Sequence, residues 1–308
     1  VIAFFVKRLL WFLLTLWVVF TITWVLANAS PGTPFSTDRE FPPEVKANLM
    51  RRYNLHLPAT QRYWLDLKKM ALEGDLGIST KMVDFTVNRV VASCWPVSAA
   101  LGLLSLSLAL VLGLPAGLIS ATRRGSAADV GLMALATVGI ALPNFVIAGF
   151  AILLFVFLIP LLPPAGWGSL RQMILPAFCL GAPYAAYIAR IARTGLLDVL
   201  SKDYIRTARA KGLSGPTVVL KHALPTAIMP VVSFLGPAVA GIITGSLVVE
   251  QLFAIPGLGF AFVQAALQSD TPMAMGLVVV YTALLFTMNT LVDAAYTWLD
   301  PRVRWEDV

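Results

Sequence analysis

The sequence is short of charge, cysteine and histidine, and each shortage excludes a class of function. Only 13% of its 308 residues are Asp, Glu, Lys or Arg, against about 25% in soluble domains, which excludes a large water-soluble core. The two cysteines, Cys94 and Cys179, stand at the head of one apolar run and inside another. Isolated buried thiols fit that setting better than a disulfide. No Cys-x-x-Cys pair or Cys/His cluster suggests a metal. His56 and His222 lie in no His-Glu-x-x-His pattern and beside no nucleophile, and Gly-x-Ser-x-Gly is missing. The chain also lacks a Gly-x-x-x-x-Gly-Lys-Ser/Thr loop with which to cradle ATP phosphates. Carboxylates inside apolar runs are few: Asp293, with Asn289 one turn earlier, and Glu250 at the outer edge of a run. They serve structural hydrogen bonds or ion pairs rather than a proton relay. Without catalytic groups or mid-membrane charge, the chain has no energy source of its own and needs a partner.

Apolar length is what the sequence has in abundance. It is 58% hydrophobic with a mean hydropathy of +0.80, the signature of an all-α polytopic membrane protein. A crossing helix takes roughly 20 apolar residues, and six segments qualify: about 9–29, 97–121, 130–159, 172–194, 227–249 and 273–297. The first is too long for a signal-peptide core and reads as a retained span. The third is either one helix kinked at Pro143 or two short spans. One span places Lys7, Arg8, Arg123, Arg124, Arg190, Arg193, Lys202, Arg206, Arg209, Lys211, Lys221, Arg302 and Arg304 on the same side, and the positive-inside tendency selects it. Both termini are then cytoplasmic. The net charge of +7 reflects those loops; no basic stripe with interleaved aromatics points to nucleic acid.

The organisation that follows is a first span in 1–29, an extracytoplasmic loop domain in 30–93, a core of five spans in 94–299 and a cytoplasmic tail, 300–308. In the loop domain, Pro42-Pro43 before Glu44 suits a helix start. Thr60 is placed to cap a second helix, whose Tyr63, Trp64, Leu67, Met70 and Ala71 recur at helical spacing and whose end is set by Gly74 and Gly77. This stripe packs on the membrane or the spans, or else docks an external protein through Tyr63, Trp64 and Asp75. Gly241 and Gly245 form a Gly-x-x-x-Gly pattern that suits close helix packing in the fifth span.

Residues 198–225 form a basic, punctuated loop between two apolar runs. A helical stretch from Asp203 to Lys211 stops at Gly212, and another, from Thr217 to Ala223, stops at Leu224-Pro225. Tyr204, Ile205 and Ala208 fall on one helical face, while Lys202, Arg206 and Arg209 point away. Gly212 permits a positive φ and close approach of a partner. This knob resembles the EAA loop of ABC importer permeases. Arg206-Thr207-Ala208 stands at the Glu-Ala-Ala positions, and Gly212, Leu224 and Pro225 match.

The resemblance extends along the chain. Ser30-Pro31-Gly32-Thr33-Pro34, Asn54-Leu55-His56 before Leu57-Pro58, Gln61-Arg62-Tyr63-Trp64-Leu65 and Gly74-Asp75-Leu76-Gly77-Ile78-Ser79 resemble the family's outer loop. Leu142-Pro143-Asn144-Phe145 is similar to its proline kink. Val249-Glu250-Gln251-Leu252-Phe253, Pro256-Gly257-Leu258-Gly259 and Asp300-Pro301-Arg302 complete the series. The chain therefore resembles the B-type permease of the dipeptide/oligopeptide ABC importers, a family that includes nickel and glutathione permeases. The resemblance implies a type I, MetI-like fold in a bacterial inner membrane. It implies a C-type second permease and two cytoplasmic ATPase subunits that bind ATP and Mg and dock on 201–225. An extracytoplasmic binding protein completes the partners; the chain itself needs no cofactor. Coupling would fall to Asp203, Tyr204, Arg206, Thr207, Ala208, Arg209, Lys211, Gly212, Leu224 and Pro225. Glu250, Pro256, Gly257, Leu258 and Gly259 make an outer gate or a plain turn. Asn144, Ser233, Thr244 and Ser246 line the pathway or bond to their own helices. A stand-alone secondary carrier is the competing class; no internal repeat supports it.

Overall fold

Backbone polar groups in a bilayer must be paired within the chain, and the long apolar runs accordingly wind into helices. The computed structural model describes residues 2–29, 43–82 and 85–299. The motifs at Ser30–Pro34 and Asp300–Arg302, with Pro42, Arg304 and the tail 300–308, lie outside the described residues. In chain order the helices are α1 (Ile2–Ala29), α2 (Pro43–Arg52), α3 (Ala59–Lys68), α4 (Val87–Thr122), α5 (Ala127–Ala141), α6 (Asn144–Ile152) and α7 (Leu170–Leu200). They continue with α8 (Asp203–Ala210), α9 (Gly215–Thr217), α10 (Leu224–Ala227), α11 (Met229–Ile243), α12 (Leu247–Leu252), α13 (Leu258–Leu267) and α14 (Thr271–Leu299). Wider π-helical turns extend α3 (Lys69–Glu73) and α6 (Leu153–Leu158) and join α9 to α10 (Val218–Ala223). Helices α1, α4, α7 and α14 are each long and apolar enough to cross a membrane, and the number rises to as many as six when each of two bent pairs counts as one span.

Proline and glycine decide where the apolar runs are interrupted. At Pro143 the expected kink is a break: α5 and α6 with its π turn meet at 113°. Leu142 is extended, with φ −86° and ψ 131°, as a residue before proline tends to be. Pro143 then starts α6, where its missing N–H costs nothing. The 15 residues of α5 span about 22 Å, less than the ~30 Å hydrocarbon core, so α5 alone does not cross, and the bend makes the pair a broken span or a re-entrant loop. The expected fifth span to residue 249 also ends early. Helix α11 stops at Ile243, and Gly245, with φ +97°, turns the chain into α12.

The chain packs as two units, Val1–Pro96 with Gly257–Phe286 and Val97–Pro256 with Thr287–Val308. In the first, Phe20 and Trp24 of α1 and Val279 of α14 cover Tyr63, Leu67 and Met70, while Val87, Leu258, Met273 and Leu277 form a second core. In the other, Leu101, Leu175, Cys179, Ile242, Val249 and Phe253 cluster. Its closest helix contact uses Gly113 and Gly117 of α4: a methyl at either would overlap the carbonyl of Ala185 or Ala189 on α7. Within the chain the close Gly-x-x-x-Gly contact is made by this pair, and Gly241 and Gly245 do not share one helix. Gly245 is outside α11, and Gly241 faces the Tyr184 hydroxyl with its surface exposed. No disulfide joins Cys94 and Cys179; Cys179 is buried but Cys94 only half-buried.

Candidate functional site

The basic loop has a firm apolar anchor and an exposed polar surface. In α8, Ile205 and Ala208 are buried, packing with Leu196 and Val199 of α7, Val218 and Ala223 of the π turn, and Ala227 of α10. Lys202, Asp203, Arg206, Thr207, Arg209 and Lys211 are exposed. Tyr204 departs from the expected face: at 47% exposure it stands out beside the cations rather than joining Ile205 and Ala208, because only i and i+3 share the narrow buried stripe of so short a helix. The Arg206–Asp203 ion pair, 3.5 Å apart and exposed on both sides, adds little. Gly212 adopts φ +80° with open space around its Cα. Glycine is needed there for its conformation, since a side chain would meet no neighbour.

Leu224-Pro225 does not stop the second stretch as expected. The π turn carries i→i+5 bonds, the Leu224 N–H reaching the Val219 carbonyl, and Pro225, with no N–H to give, falls where the ladder returns to α geometry. A π bulge thus absorbs the proline, and the bend of 49° comes later, between Ala227 and Met229.

The other polar candidates are held by hydrogen bonds within the chain. Glu250 is not at an open edge: it is fully buried, its Oε1 accepting from Ser98 Oγ at 2.9 Å and Ser246 N at 3.2 Å. A methyl on Gly245 would lie 2.7 Å from that same oxygen, so this glycine serves both the turn and the carboxylate. Ser246 caps α12 through Val249 N at 3.2 Å. Thr244 and Ser233 donate to the Gly241 and Met229 carbonyls, each at 3.1 Å. Asn144 is half-buried in the first turn of α6. Pro256 is exposed, Gly257 precedes α13 with extended geometry (φ −100°, ψ −177°), and Leu258 and Gly259 are buried. Of the positions for a pathway or gate, Ser246 thus serves as a helix cap and Ser233 and Thr244 as helix back-bonds.

In the outer-loop stretch, α3 is preceded by Pro58, and Thr60 lies inside the helix, not at its cap; the extended Pro58 sets the entry in its place. Gly74, at φ +65°, ends the π turn. Tyr63 is committed to α1, its hydroxyl 2.7 Å from Thr21 Oγ1 and its ring against Phe20 and Trp24. Trp64 is 65% exposed. Asp75 is used locally, accepting the Gly77 N–H at 3.0 Å. Asp66 takes the Trp24 indole N–H at 3.1 Å. Burial pushes its carboxyl above the ordinary range, opposed by that bond and by Lys69 and Arg62.

Two buried carboxylates escape a reading of the sequence. Asp129 receives a two-pronged hydrogen bond from Arg193 (Nε at 2.8 Å, Nη2 at 2.9 Å), the Gly125 N–H at 2.9 Å and the Ser120 hydroxyl. This pair joins α5 to α7. Its signal is Ser126-x-x-Asp129, a capping pattern: Ser126 is the N-cap of α5. Asp270, just ahead of α14, accepts from the Ser79 hydroxyl and from Thr80 N and Oγ1, both at 3.0 Å. Asp270-Thr-Pro272 is a helix start in the sequence; its bond to a distant loop is not. Among the described residues no three His, Cys, Asp or Glu side chains gather as metal ligands.

With this geometry in hand, the chain can be placed among known proteins. Residues 113–305 match the family described as the binding-protein-dependent transport system inner membrane component. The chain is 41% identical over 304 residues to the oligopeptide transport system permease protein OppB of Haemophilus influenzae, covering 98% of this chain and 99% of that one. It is 42% identical over 299 residues to the dipeptide transport system permease protein DppB of Bacillus subtilis, covering 97% of each. An inward-facing structure of the MetNI methionine ABC transporter matches with a TM-score of 0.57 at 19% identity, over 69% of this chain and 97% of that one. That likeness concerns the fold alone, the type I importer permease. A multi-pass helical chain with this fold and these near-full-length relatives belongs to the family of binding-protein-dependent transport system inner membrane components.

Proposed function

We propose that this chain is one of two permeases forming the pathway by which an ATP-driven importer carries di- and oligopeptides across the bacterial inner membrane. The observation that carries this is the likeness, over nearly the whole chain, to proteins named as oligopeptide and dipeptide permeases. ATP and Mg are bound by separate ATPase subunits, which dock on 201–225, and a binding protein delivers the peptide from the other side. The loop suits such docking because Ile205 and Ala208 fix α8 to the end of α7, so force on the exposed Arg206, Arg209 and Lys211 moves a helix rather than a tether. Both termini and this loop face the cytoplasm, as the distribution of Lys and Arg favours.

The test is peptide uptake in vesicles reconstituted with the partner subunits. The isolated chain is expected to hydrolyse no ATP. Gly212→Pro and Arg206→Glu are expected to abolish uptake while the chain still inserts in the membrane. Normal uptake by both variants rejects the coupling role. Uptake of nickel or glutathione, with none of peptide, rejects the substrate class.

A further inference from the structure

The first unit contains a cavity of about 380 Å³ between α1, the 50–80 stretch and the start of α14, a volume in the range of small-molecule sites. None of the pathway or coupling residues lines it. Its deep wall is apolar: Phe20, Trp24, Met70, Met275 and Val279. Its rim carries the cations Arg52, Arg62 and Lys69 and the carboxylates Asp66 and Asp75. Both carboxylates already take N–H donors, from Trp24 and Gly77, and burial favours the neutral form of Asp66. The rim is therefore positive in balance.

Arg62 is held ready at that rim. Its Nη2 donates to Asn28 Oδ1 at 2.5 Å and its guanidinium stands 5.8 Å from the Trp24 ring centre. Its Nε is buried without a hydrogen-bond acceptor among the described residues. A guanidinium fixed in this way, with Arg52 and Lys69 on the same lining, suits a phosphate oxygen. The setting supplies one. The cavity opens at the ends of two apolar helices, where Trp and Arg meet lipid headgroups, and Ile22, Val25 and Leu26 of α1 are exposed beside it. A soluble anion would leave the apolar depth unused.

We propose that this cavity binds an anionic phospholipid, its phosphate against Arg62 and an acyl chain against Phe20, Met275 and Val279. The full chain, purified with the subunits that accompany it and stripped of lipid in detergent, is titrated with phosphatidylglycerol or phosphatidylcholine and read by native mass spectrometry. Wild type is expected to hold phosphatidylglycerol roughly tenfold more tightly than phosphatidylcholine. Arg62→Gln should lose that preference, and Met275→Trp, which fills the depth from α14, should release both lipids. Leu72→Trp, an exposed site outside the cavity, should change neither. Thermal unfolding checks that each variant is folded. A retained preference in Arg62→Gln, unchanged retention in Met275→Trp, or glycerol phosphate binding as tightly as the lipid would each overturn the assignment.

Discussion

Asp129 and Asp270 are both almost fully buried, at 4% and 2% exposure, and both sit at the start of an apolar helix, yet they are satisfied in different ways. Asp129 meets a full positive charge from another helix, Arg193 on α7, in a planar two-pronged bond. Asp270 meets hydroxyls and a backbone N–H of the 79–80 loop. A paired charge binds two spans together and fails badly if either member is lost. A carboxylate held by neutral donors fastens a loop to a helix end, and most of its bonds survive loss of the charge. The chain thus contains two kinds of anchor, one electrostatic and one made of hydrogen bonds.

The two anchors separate most clearly at Arg193. Arg193→Met leaves Asp129 buried without its cation, and we expect the melting temperature of the purified protein to fall by roughly 5 °C or more. Asp129→Asn combined with Arg193→Met should recover part of that loss. If the single and double variants melt alike, the pair is not an electrostatic anchor.

Asp270 should give a smaller effect of a different pattern. Asp270→Ala strands the Ser79 hydroxyl and Thr80 N–H, at a cost of about 1–3 kcal/mol, and should expose the 79–82 stretch to protease. Asp270→Asn keeps an acceptor for Thr80 and should restore most of the protection. Equal damage from Ala and Asn would mean that the charge, not the bond count, holds the loop.

Asp66 gives the smallest effect and adds a third case, since it is half-buried with one indole donor and its carboxyl is raised above its ordinary value by desolvation. A raised acid stabilises the fold when protonated. That contribution is complete below the ordinary carboxylate range and is lost as pH rises through the raised value. Asp66→Asn should therefore raise the melting temperature at neutral pH by about 1–2 °C, and the gain should vanish in acid. A gain that persists unchanged at low pH would trace to packing instead.

Much of this architecture is legible along the chain, because spans announce themselves by uninterrupted apolar length. The helix ends at Gly74 and Gly212 are legible too, each glycine taking positive φ. Pair-specific features are not. Gly113-x-x-x-Gly117 and Gly241-x-x-x-Gly245 are the same pattern in sequence, but only the first pair lies on a continuous helix with a facing helix pressed against it. Leu224-Pro225 reads as a stop because proline ordinarily breaks an α ladder; a π turn immediately ahead of it removes the conflict.

Local chemistry along the chain is enough to make it a helical membrane protein with a basic, glycine-hinged loop, because hydropathy, turn preference and charge placement act within a few residues. Only packing in three dimensions lets Arg193 answer Asp129 across 64 positions and Ser79 answer Asp270 across 191. Packing also bends the Pro143 break to 113° and turns Glu250 inward to Ser98. A buried polar group must find a partner wherever the fold brings one within about 3 Å, and no local pattern records where that will be.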